Sequence, residues 1–168
     1  MALSGWSRAA IHRGMNLSYS GQEQVSAPPA TVWAFVQDPE QVARCLPEVR
    51  EVRVIDPHTA DATVQVGLGL LRGQFRFRLE LTPDQTQGLV RVRVQGGGLG
   101  STVELNAQAG VVDQGNGTTL LDWQGSAVLG GTVTRVGGRQ LDSLAQRLIV
   151  RTFRTMASRI NASSGTLA

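Results

Sequence analysis

A chain of 168 residues with 41% hydrophobic content is long enough for one globular domain that buries about 70% of its unfolded surface. The formal charge of +3 balances 13 acids against 16 basic residues, all of them arginine, so the high isoelectric point reflects a side chain that never gives up its proton and not an affinity for nucleic acid. One cysteine and two histidines exclude an internal disulfide and argue against a cysteine-based zinc site or a histidine-dependent triad.

Residues 1–14 carry arginine, no acid and no clear period. They read as a flexible arm, with a basic membrane-surface anchor built on Trp6, Arg8, Ile11 and Arg13 as the alternative. Leu17 to Ser26 alternates loosely and predicts a strand. Pro28 and Pro29 then open a short helix, where a missing N–H costs nothing, and Val32, Trp33 and Val36 form its apolar stripe. A second short helix follows, with Asp38 as its N-cap, Pro39 at its first position and Pro47 as its stop.

From Val49 the period switches to two, and turn signals recur at Asp56-Pro57, Leu71–Gly73, Pro83–Gly88, Gly96–Gly100 and Asp113–Gly117. They predict six strands, at 49–55, 60–69, 74–82, 88–95, 101–112 and 118–128, joined as an antiparallel meander. Phe75, Phe77, Leu79 and Leu81 share one face with Val90, Val92, Val94, Val103, Leu105 and Ala107. The opposite face carries Arg76, Arg78, Arg91 and Arg93. Pairing across the turn at 83–87 would set Arg76 beside Arg93 and Arg78 beside Arg91, a like-charge cluster that Glu104 partly offsets.

The last helical pattern places Leu141, Leu144, Leu148, Thr152, Met156 and Ile160 at spacings of three and four, with Ile149 and Phe153 widening a stripe that must bury against the apolar sheet face. Arg147, Arg151 and Arg154 lie on another side, which reads as a solvated face or as a patch for anionic lipid or an acidic partner. The polar residues 162–168 read as a short tail, leaving 15–161 as the single domain. A curved sheet does not pack flat on one helix, so a cavity is expected between them, and function is expected there.

Gly130-Gly131 and Gly137-Gly138 precede this helix, but they fit neither the P-loop nor the dinucleotide spacing, and the chain has no lysine. They read as devices for close or mobile approach at the cavity mouth. Asp122, between Leu121 and Trp123, has no second acid or histidine at a spacing that would make a catalytic pair. No catalytic, metal or cofactor residue is expected. Nucleic acid is not expected as a partner, since Phe75 and Phe77 point away from the arginines and leave no stacking platform among them.

The stretches SAPPATVWAFVQDPEQVARCLPEV, VQVGLGLLRGQFRFRLEL and GTTLLDWQGSAVLGGTVTRVGGRQLDSLAQRLI resemble the carbon monoxide dehydrogenase G-subunit family of the START-like, Bet v 1-like helix-grip superfamily. The resemblance covers roughly residues 16–160. It implies an α+β fold, with a seven-stranded curved antiparallel sheet wrapped round a long C-terminal helix and two short helices after the first strand. It also implies a non-enzymatic accessory or recruitment protein of a molybdenum hydroxylase, with quinone- or lipid-like cargo and peripheral contact with the inner face of the cell membrane; the cytoplasm is the expected location because the sequence supports neither a membrane span nor a secretory signal. The competing readings are a cyclase- or dehydratase-type enzyme using the same cavity and a docking factor without ligand. The expected lining is Trp33, Val66, Leu68, Phe75, Phe77, Val92, Val94, Leu105, Trp123, Leu141, Leu144 and Leu148. Two positions depart from the family pattern: Pro47-Glu48 stands where Pro-Gly is common, and Phe77 where a small residue is often found.

Overall fold

The computed structural model describes residues 15–68 and 71–166, with the side chains of 68, 71 and 163–166 excepted. The arm at 1–14 and the last two residues of the expected tail lie outside the described residues. Strand β1 (Met15–Val25) is followed by helices α1 (Pro29–Val36) and α2 (Pro39–Ala43), then β2 (Val49–Asp56), β3 (Thr59–Leu68), β4 (Leu71–Asp84), β5 (Leu89–Gly98), β6 (Ser101–Gly115) and β7 (Thr118–Gly131). A 3-10 turn (Thr132–Val136) leads into α3 (Gly138–Thr166). The helix therefore runs on through residues expected to form a tail.

Local chemistry explains the breaks. Pro28 caps α1 with an extended backbone, and the Asp38 carboxylate accepts from the backbone N–H groups of Glu40 and Gln41 at 3.0 and 3.3 Å to start α2. The seven strands form one antiparallel sheet in the order β1-β7-β6-β5-β4-β3-β2, a meander in which β1 folds back beside β7.

The register between β4 and β5 differs from the expected one. Glu80 faces Arg93 and Thr82 faces Arg91, while Arg76 and Arg78 lie opposite Gly97 and Gln95. The reason is the turn: β4 continues to Asp84, whose carboxylate accepts from Gln87 N–H at 3.1 Å, so the chain reverses at 85–88. The like-charge cluster does not form. Instead Arg78 forks onto Asp61 at 2.8 and 3.0 Å, Arg91 reaches Asp84 at 3.3 Å, and Arg93 approaches Glu104 at 4.0 Å.

Helix α3 crosses the inner face of the sheet, running beside β1, α1 and the 3-10 turn. Two polar ties fix it. Tyr19 Oη donates to the Asp142 carboxylate at 2.7 Å, and Asn161 Oδ1 accepts from Ser26 N–H at 2.9 Å. Two large apolar clusters result, beside a small one of Ala43, Ala60 and Ala62. One joins α1 and α2 to Leu79, Leu81, Val90, Leu121, Met156 and Ile160; the other joins Leu17, Val64, Phe75, Leu129, Val133 and Leu141 at the opposite end.

Candidate functional site

The space between sheet and α3 is closed at its ends and loose in its middle. Phe75, Leu79 and Leu81 are buried, yet Phe77 on the same face of the same strand is only half-buried. Val92, Val94, Val103 and Leu105 behave likewise, and the register sets Val94 against Leu105 and Val92 against Ala107. The helix shows the same pattern. Leu141 near its start and Met156, Ala157 and Ile160 near its end are buried, whereas Leu144, Ala145, Ile149 and Phe153 between them are half-buried. Half-buried apolar side chains in this position are compatible with a ligand site.

A cleft of about 260 Å³ opens where α3 passes β1, lined by Tyr19, Gly21, Trp123, Ile149, Val150 and Phe153 together with Glu23, Gln146 and Arg154. The Trp123 indole stacks on the Phe153 ring with centroids 4.6 Å apart and an interplanar angle of 6°. A broader depression of about 690 Å³ lies among the polar side chains of the outer sheet face, including Glu80, Arg91, Arg93, Asn106, Gln108 and Gln124. Its lining suits water better than an apolar molecule.

Of the residues expected to line the cavity, Trp33, Val92, Val94 and Trp123 are half-buried against the first cluster, Val66, Phe77 and Leu105 against the second, and Leu144 is half-buried on α3. Phe75 and Leu141 are buried in packing. The side chain of Leu68 lies outside the described residues. Leu148 is a correction: at 37% exposure it turns to solvent, and Ile149 and Phe153 carry the stripe through the middle of the helix. Tyr19, Gly21, Ile149 and Val150 are not among the expected lining residues, because which edge strand flanks the helix is a matter of tertiary placement and not of period.

The glycines also divide. None of Gly130, Gly131, Gly137 and Gly138 borders the cleft. Gly131 has φ 77°, and a Cβ there would fall 2.1 Å from the carbonyl oxygen of Gly100 in the β5–β6 turn, so its close approach is to that turn and not to the helix. Gly137 has φ 105° in open space, Gly138 has open space too, and Gly130 pairs with Thr102 in the sheet.

Electrostatics at the site are sparse. Burial, and the hydrogen bond to Asp142, push the Tyr19 hydroxyl up to about 12. Burial also pushes the Cys45 thiol up to about 12, and its Sγ donates to the Gln41 carbonyl at 3.3 Å, which marks it as a packed, unreactive side chain. Asp122 is exposed on the outer face, opposite in sense to Leu121 and Trp123, which removes it from any chemistry inside the cavity. Among the described residues no group of three or more His, Cys, Asp or Glu is placed to hold a metal, and no helix is long and apolar enough to cross a membrane. Arg147, Arg151 and Arg154 are exposed on α3, and Arg151 lies 3.7 Å from Glu48.

No curated protein sequence matches the chain significantly. Among solved structures, a conserved protein from Geobacillus kaustophilus is 23% identical, with 88% of this chain and 97% of that one covered and a TM-score of 0.77. A START superfamily protein from Mycobacterium smegmatis is 18% identical over 86% and 97% of the two chains, TM-score 0.65. An aromatase/cyclase from a Streptomyces species is 12% identical over 90% and 94%, TM-score 0.60. At these identities the likeness establishes the fold, a START-like helix grip. The sequence profile of the carbon monoxide dehydrogenase G subunit (CoxG) matches residues 21–161, which takes in the end of β1, strands β2 to β7, both short helices and most of α3, and the chain therefore belongs to the CoxG family.

Proposed function

We propose that this protein binds a hydrophobic small molecule, quinone- or lipid-like, in the loose middle between the sheet and α3, without transforming it. The observation that carries this reading is the split interior: buried side chains at both ends, half-buried apolar ones between. Binding draws on about 25 cal/mol for each Å² of apolar surface withdrawn from water, and the interior offers few polar groups to orient a ligand. The family supports the finer role of an accessory or recruitment protein to a carbon monoxide dehydrogenase-type molybdenum hydroxylase. We assign peripheral contact with anionic lipid to the exposed arginines of α3, Arg147 and Arg154 foremost.

Organic extraction of the purified protein followed by mass spectrometry tests the reading. An apolar molecule near one equivalent, or quenching of tryptophan fluorescence by an added short-chain quinone at micromolar concentration, is the expected result. A protein that yields no extractable molecule and is indifferent to added quinones and fatty acids overturns it. Salt-sensitive co-purification with a molybdoenzyme tests the partner separately.

A further inference from the structure

The indole N–H of Trp123 is shielded from solvent and has no hydrogen-bond acceptor among the described residues. Buried donors in folded proteins are almost always paired, and an orphan is a specific cost that a packed strand position does not require. The position is also prepared for this ring. Trp123 faces Gly21 on β1, and a Cβ at Gly21 would come within 2.5 Å of the indole Cζ2, so only glycine lets the ring lie there. Phe153 covers one face of the indole, and the same two rings line the cleft between β1 and α3.

From the orphan donor, the glycine seat and the adjoining cleft we infer that Trp123 is the specificity-determining residue of the site, its N–H donating to a neutral oxygen acceptor, a carbonyl or ether, on the bound apolar ligand. The inference rests on the apolar-ligand reading above and narrows it to ligands that carry such an oxygen. Because Phe153 stacks on a ring face, whereas the N–H lies in the ring plane, the stack leaves the donor's direction uncommitted. Because the nitrogen is shielded from solvent, the acceptor reaches it only with a displacement of the groups that cover it. A hydrocarbon of the same shape gains burial but leaves the donor orphaned.

The test uses fluorene and 9-fluorenone, a matched pair differing by one carbonyl, with the full-length protein and its Trp123→Phe variant, which keeps a ring against Phe153. The variant is expected to weaken fluorenone binding by about three- to tenfold, the range of one neutral hydrogen bond, and to leave fluorene within about twofold. In the wild-type protein labelled with nitrogen-15, fluorenone is expected to move the Trp123 indole proton downfield while fluorene does not. Equal effects of the variant on both probes, or identical indole shifts with both, overturn the inference and leave the carrier reading standing. If neither probe binds and the extraction also fails, the carrier reading falls and takes this inference with it. Should the variant fail to fold, the indole shift in the wild-type protein decides alone.

Discussion

Gly137 and Gly138 stand side by side before α3, but different constraints hold them. Gly137 adopts φ 105° and ψ 139°, a region nearly closed to residues with a Cβ, although nothing lies within 4 Å of where that Cβ would sit. Gly138 has no such dihedral, and its nearest neighbour is the Met15 methyl at 4.0 Å. Gly137→Ala is therefore expected to cost about 1–3 kcal/mol through backbone strain. Gly138→Ala should be neutral or add up to about 1 kcal/mol by restricting the unfolded chain. Urea midpoints of the two variants check this, and equal losses would contradict it. The glycine pairs were plain in the sequence; their separate reasons were not, since a dihedral is fixed by where the chain must go next. Cys45 shows the same limit. Its burial holds the thiol protonated up to about pH 12 against an ordinary value of 9.0, so the unfolded chain releases its proton first as pH rises. The stabilisation from this thiol is complete below about 9 and is lost as pH climbs toward 12. At pH 8 the thiol is expected to resist an aromatic disulfide reagent in the native protein and to react within minutes in denaturant.

Among the elements, the strands were legible and one register was not. Alternation located all seven strands to within a few residues, because each has one wet and one dry face. Alternation cannot distinguish registers that differ by an even number. Moving the partner of Arg78 from Arg91 to Gln95 keeps every apolar side chain inside, and the Asp84 carboxylate at the turn settles the choice. Helix α3 was legible as an amphipathic segment, but its polar ties were not, since Tyr19 and Asp142 are far apart in sequence. The Tyr19–Asp142 hydrogen bond holds the first turns of α3 to β1, and Ser26–Asn161 holds the far end. Tyr19→Phe is expected to speed amide hydrogen exchange over residues 141–150, to spare 156–160, and to cost no more than about 1.5 kcal/mol. Uniform acceleration along the helix would show that the tie does not act locally. Since the Tyr19 hydroxyl is raised from 10.0 to about 12, the stability it lends is complete below about 10 and disappears as pH rises through 12.

At the scale of the molecule, the inward-facing side chains could be named from the pattern, but the gap between them could not. Whether Val94 and Leu105 are covered depends on how far α3 stands off the sheet, and that distance is set by the two end clusters and the polar ties. The outcome is a domain with buried side chains near both ends of α3 and half-buried apolar ones between them. Two measurements separate a ligand site from loose packing. A bound apolar molecule present at a hundred times its dissociation constant stabilises the folded state by about 2.7 kcal/mol, which raises the melting temperature of a chain this size by roughly 5–10 °C. Filling the gap from within gives the complementary test. In a tightly packed interior, Val94→Phe would cost about 1–3 kcal/mol through overpacking. If a ligand space adjoins Val94, the added ring is accommodated there beside Leu79 and Leu105, its cross-strand neighbours. Val94→Phe is therefore expected to hold or raise the denaturation midpoint while weakening the binding of an apolar ligand seated there. Lost stability with unchanged binding would place the ligand elsewhere and return the half-buried strand residues to ordinary packing.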